Sequence, residues 1–180
     1  MPYLRPATER AGLAAPAPTE PRRTHGTPPP ECGGPAALVI MTVAGWEQFD
    51  VEADVGVRAW GPTRAEAFAQ AALGVFALIV SPDEVDEREH REVRAQADTP
   101  ETLLVNWINE CLYVHEIEGF VAHRITVLRV SDTVAHGVVH GEEFDTRRHR
   151  AGTVVKAATL HQASVTERDG RHQVSVIVDV

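Results

Sequence analysis

Residues 54–66 constrain the fold more than any other stretch: Asp54-Val55-Gly56-Val57-Arg58-Ala59-Trp60-Gly61-Pro62-Thr63-Arg64-Ala65-Glu66. Val55, Val57 and Ala59 alternate with Gly56, Arg58 and Trp60, the two-residue period of a strand with two different faces. Gly61-Pro62 stops that strand. Thr63 and Glu66 then form a Thr-x-x-Glu capping box before an apolar run, which restarts the chain as a helix. Asp54 stands at the start of the strand, beside a glycine that lets another group come close. It is read either as a turn or cap residue or as the first candidate for chemistry.

Around this unit the periodicities predict the remaining elements. A first short strand spans 46–51. The first helix runs from about Arg64 to Val80, with Ala65, Phe68, Ala69, Ala72, Leu73, Phe76 and Val80 on one stripe. Its other faces are apolar too, so burial inside the monomer is expected, with a partner on its second side as the alternative. Ser81-Pro82-Asp83 ends it, and 83–91 reads as a solvated loop. A strand over 90–97 follows. Thr99 caps a second helix with Pro100 at its first position. This helix carries Leu104, Trp107, Ile108, Cys111 and Leu112 and stops near Gly119. Strands are predicted over 120–130, 133–140, 153–166 and 171–180, the last two joined by Asp169-Gly170 as a hairpin. The fold class is α+β: a two-layer sandwich of two helices on a largely antiparallel or mixed sheet. Without a repeating βαβ wind, no doubly wound nucleotide crevice is implied.

Residues 1–40 differ in kind. They hold nine of the chain's twelve prolines and almost no aromatics, a composition that cannot bury enough surface to order itself. A disordered tail over 1–40 and a folded domain over 41–180 are expected, with Met41 as a candidate translation start that would leave the tail out of the natural protein. The formal net charge of −9 argues against a general nucleic-acid binder and against docking on an anionic membrane. Cys32 and Cys111 provide no disulfide framework and no Cys-x-x-Cys, in keeping with a cytoplasmic protein; Cys111 is read as core. No stretch is long and apolar enough to span a membrane, and the start lacks the layout of a signal peptide.

Familiar catalytic motifs are missing, including phosphate-binding glycine loops and the nucleophile elbow. His115-Glu116 opens like a zinc-protease helix, but Gly119 stands where the second ligand belongs. His136 and His140 share a strand face, which reads as solvated rather than zinc-binding. More informative are Asp54 and Asp179. An acid one residue from the end sets its side chain beside the α-carboxylate of Val180. If that end packs near Asp54, three carboxylates share one place. Each like-charge pair about 4 Å apart costs roughly 4 kcal/mol at an effective dielectric of 20, so the cluster needs a cation, a proton or a basic side chain. Hard oxygens suit Ca²⁺ or Mg²⁺, with water or a partner filling the other positions. Lys156, placed inside a predicted apolar strand, is the candidate basic group; taken alone it reads as an edge-strand gatekeeper.

Several separated motifs then line up with one family. They are Trp46 to Gly56 with Ala59-Trp60-Gly61; Leu103-Leu104-Val105-Asn106-Trp107 through Leu112-Tyr113; Gly141-Glu142-Glu143-Phe144-Asp145 with His149 and Gly152 to Thr159; and Val178-Asp179-Val180. Over roughly residues 46–180 the chain resembles the archeases. The resemblance implies a non-catalytic accessory factor that activates a GTP-dependent RNA ligase in tRNA splicing and RNA repair, promoting its guanylylation and turnover. It implies a divalent-metal site at Asp54, Asp179 and Val180, with Ca²⁺ first and Mg²⁺ or Mn²⁺ next, and a functional lysine at Lys156. The partner is then the ligase itself, and RNA is met only through it. Two departures stand out. The family's His-Thr is Val51-Glu52 here, with Glu52 a possible extra ligand, and its usual Tyr is Leu160. Two other classes compete: a general chaperone-like holdase using the apolar first helix, and a small metal-dependent enzyme using Lys156 with the Asp54 and Asp179 cluster.

Overall fold

The computed structural model describes residues 43–52 and 54–180. The tail expected over 1–40, with Cys32 and Met41, lies outside them.

The capping box forms as its spacing requires. Strands β1 (Gly45–Val51) and β2 (Asp54–Gly61) pair antiparallel, and helix α1 (Arg64–Ile79) begins after the cap at Thr63. The Glu66 amide donates to Thr63 Oγ1 at 3.2 Å, and the Thr63 amide donates to Glu66 Oε2 at 3.1 Å. A short 3-10 turn, Pro82–Glu84, precedes β3 (Glu89–Gln96). Helix α2 (Pro100–Glu118) starts on the Thr99 cap and ends at Gly119, which takes a left-handed conformation. Strands β4 (Phe120–Val130), β5 (Val134–Glu143), β6 (Ala157–Arg168) and β7 (Arg171–Asp179) complete the chain. Asp169 and Gly170 both have positive φ, 53° and 69°, and close the β6–β7 hairpin.

The α+β class and the two helices stand as expected, and every strand pairing is antiparallel. The strands divide into two sheets, a four-stranded one in the order β1-β2-β7-β6 and a three-stranded one in the order β3-β5-β4. The helices join them: α1 packs on β2 and β4, and α2 packs on β6 and β3. Buried faces of all these elements make one core, with Phe68, Phe76, Leu103, Leu104, Trp107 and Phe120 fully enclosed. Each such side chain contributes about 1.5–3 kcal/mol relative to exposure. The all-round apolar helix α1 is therefore buried within the monomer. Cys111 is fully buried as well, which pushes its thiol pKa up and leaves it a packing residue.

Two sequence expectations need correction. Residues 153–156 are not strand, and β6 begins only at Ala157. The amides of Gly152 and Thr153 instead donate to the carbonyls of Ile79 and Leu78, both at 2.7 Å. These are end carbonyls of α1 with no partner inside the helix, so the loop satisfies them at the expense of the sheet. A Cβ on residue 152 would overlap the Leu78 carbonyl, which is why glycine stands there. Strand β6 is also interrupted. Its register with β7 shifts between Thr159 and Ser164; Leu160 there is 56% exposed, while Ala163 packs against the core.

Candidate functional site

The last strand, β7, inserts between β2 and β6. That insertion builds the site. Val55 pairs with Val178, and one further step in the same register sets Asp54 opposite Asp179. On the other side Ala157 pairs with Asp179, so the residue before it, Lys156, reaches the same end of the sheet. The Lys156 amide donates to Asp179 O at 2.9 Å. Its ammonium donates to Val180 O at 2.9 Å and lies 3.6 Å from Asp179 Oδ1. Both side chains are more than half exposed, so this ion pair is solvent-screened and adds little stability. The structure thus brings Lys156 to Asp179 and Val180, with Asp54 across the strand pair. Lys156 is not the mid-strand lysine the sequence suggested; it sits just ahead of β6.

Glu52 lies on the β1–β2 connection, exposed, with φ 32°. Among the described residues no three His, Cys, Asp or Glu side chains gather as a metal site, so Glu52 does not join the two aspartates as a third carboxylate. The glycine beside Asp54 does admit a close neighbour, the ring of Phe49 across the β1–β2 pair. Arg58 caps that ring at 5.1 Å from its centroid.

His136 and His140 lie on one face of the three-stranded sheet. There His136 Nε2 meets Glu92 at 2.9 Å and His140 Nδ1 meets Glu87 at 3.2 Å. Both are partly exposed imidazoles, each set against a carboxylate rather than against a further metal ligand. His115 Nδ1 is 3.0 Å from the Phe120 carbonyl oxygen.

The approach to Lys156 rests on residues whose task the sequence did not reveal. Glu142 is buried at the end of β5. It accepts from Arg148 Nη1 at 2.6 Å and from the Asp86 amide at 2.8 Å, and Arg88 Nε lies at 3.3 Å. His149, also buried, accepts the Asp145 amide at Nδ1 (2.9 Å), so its proton is on Nε2, which faces Glu142 Oε1 at 3.2 Å. Burial alone would raise the Glu142 pKa. The bonds from Arg148, the Asp86 amide and His149 outweigh it and hold the carboxyl down at about 2. This node folds segment 144–156 back toward α1. Strand alternation could not reveal Glu142, because the inward positions of β5 are the odd-numbered ones, Ala135 to Gly141. Asn109 was missed too. Its side-chain amide exchanges two hydrogen bonds with the Ala158 backbone, 2.7 and 3.1 Å, fixing the start of β6 against α2.

Beside Lys156 lies a cavity of about 490 Å³. It is walled by Ile79, Leu112, His115, Phe144 and Val155 among others. Among the described residues no helix is long and apolar enough to cross a membrane.

Comparison with known proteins gives one consistent answer. Residues 46–180 match the archease protein family (MTH1598/TM1083). Protein archease of Pyrococcus furiosus is 31% identical over 139 residues, covering 75% of this chain and 98% of the relative. Protein archease of Saccharolobus islandicus is 37% identical over 136 residues, with the same coverage. The solution structure of Methanobacterium thermoautotrophicum protein 1598 superposes with a TM-score of 0.63 at 31% identity, over 76% of this chain and 99% of that one. A Thermotoga maritima crystal structure, described as an archease and possible chaperone, shares the fold at a TM-score of 0.50 and 16% identity, over 74% and 96% of the two chains. The chain belongs to the archease family.

Proposed function

We propose that this protein is a non-catalytic accessory factor that activates a GTP-dependent RNA ligase in tRNA splicing and RNA repair, promoting ligase guanylylation and turnover. The observation that carries the reading is the convergence of Asp54, Lys156, Asp179 and Val180 on one end of one sheet. These residues are remote in sequence, and they are the ones the resemblance assigns to function.

A divalent cation fits the donor set. Asp54, Asp179 and Val180 offer only hard oxygens, which favours Ca²⁺, with Mg²⁺ or Mn²⁺ next. They are too few to fill the shell alone, so water or the ligase completes it. When bound, the ion supplies positive charge to a phosphate-bearing partner site. Lys156 offsets part of the same carboxylate charge, beside Asp179 and Val180.

The test is single-turnover guanylylation of the cognate ligase with and without this protein. Stimulation is expected, with loss in Asp54→Ala and Asp179→Ala and a strong reduction in Lys156→Ala. Full stimulation by a well-folded Asp54→Ala protein would overturn the reading. A holdase-type chaperone is the second reading, favoured by the exposed apolar residues Tyr113, Ile117 and Val154. Suppression of aggregation of unrelated clients, insensitive to Asp54→Ala, would support it instead.

A further inference from the structure

We propose that the cavity beside Lys156 is a docking site for a bulky apolar side chain carried on a basic segment of the partner ligase. The inference rests on the accessory-factor reading and assigns the surface by which the partner is held.

The cavity lies between the C-terminal ends of α1 and α2 and the segment that leads into β6. At about 490 Å³ it falls in the size range of small-molecule and side-chain pockets, about 300–1,000 Å³. Its walls are mainly apolar, from Ile79, Leu112, Phe144 and Val155, with His115, Glu116 and Lys156 as the titratable groups that line it.

Its surroundings are apolar where a surface should be wet. Val154 lines the cavity and is 76% exposed; Ile117 is 64% and Tyr113 58% exposed. Tyr113 and Ile117 are four apart on α2, next to Leu112 and Glu116 of the cavity wall, so they form one strip along its edge. Asn109, one turn before Tyr113, bonds to Ala158 of β6. The strip therefore runs on the side of α2 that meets the start of β6. Large apolar residues grouped around an apolar cavity mark an interaction surface.

Charge decides what occupies it. Glu110 and Glu116, both exposed, flank Tyr113 on the same helix. Beyond Lys156 lie Asp179 and Asp54. The lining cation Lys156 is already engaged by Asp179 and Val180, so a segment entering here meets an excess of carboxylate, which favours Lys or Arg next to its anchor and disfavours RNA phosphate. Lys156 lines the cavity and also bonds Val180, so a docked segment abuts the functional end of the sheet.

The experiment measures fluorescence anisotropy of labelled protein titrated with the purified ligase at two ionic strengths. Val154→Glu and Glu116→Lys change exposed positions, and circular dichroism checks that they fold. Each is expected to weaken binding about tenfold or more, the loss typical of an interface anchor, and the Glu116→Lys loss shrinks at high salt. Leu128→Glu, at an exposed position on β4 of the other sheet, serves as the control and binds as wild type does. A photo-crosslinking residue at position 154 is expected to capture a ligase peptide with an apolar residue beside Lys or Arg. Wild-type affinity in both rim variants would overturn the docking site while leaving the accessory role standing. Capture of an acidic peptide or of RNA would overturn it too. Absence of both binding and stimulation by the wild-type protein would overturn the two readings together.

Discussion

Gly56 shows how a single residue ties the sheet to the site. A Cβ there would overlap the Phe49 ring, which lies over the glycine from the neighbouring strand. Gly56→Ala is expected to destabilise the protein by about 1–3 kcal/mol, the usual cost of overpacking. Urea denaturation measures it, and Phe49→Ala in the same chain should recover part of the loss. The sequence showed only that this glycine leaves room for another group to come close. It did not show that the group is a ring of β1, because that depends on cross-strand register.

The helices were legible because their signals are local. Thr63 and Glu66 lie within one turn of each other, as do Thr99 and Thr102. Thr63→Ala is expected to cost about 1 kcal/mol, read as a lowered thermal midpoint with α1 otherwise intact. Strand β6 was legible only in part. Residues 153–156 have strand composition, yet the amides of Gly152 and Thr153 found unsatisfied carbonyls at the end of α1, a partner no local pattern reveals, and that draws the segment away from the sheet. The same competition sets Lys156 ahead of the strand rather than inside it, free to reach Val180.

At the scale of the molecule, Glu142 links β5, the Asp86–Arg88 segment and loop 144–156. Its pKa falls from 4.5 to about 2 on folding. A carboxyl so depressed contributes stability above pH 4.5 and loses it as pH falls toward 2. Unfolding free energies of wild type and Glu142→Gln should therefore differ at neutral pH and converge across that window. At neutral pH Glu142→Ala should cost about 2 kcal/mol, a low figure for a buried charged hydrogen bond, because Arg148 is 34% exposed and partly screened.

The sequence by itself determined the two capped helices, the alternating strands, the β6–β7 hairpin and the α+β class. Each of these depends on residues close in the chain, whose spacing is fixed by backbone geometry. Only the tertiary structure decided that the strands split into two sheets and that β7 enters between β2 and β6. That insertion sets Asp54 opposite Asp179 and brings Lys156 to them. The spacing of alternate residues tells which face a strand buries. It carries no record of which neighbour the strand will pair with, because that choice is made by how the faces of both helices and both sheets close over one core.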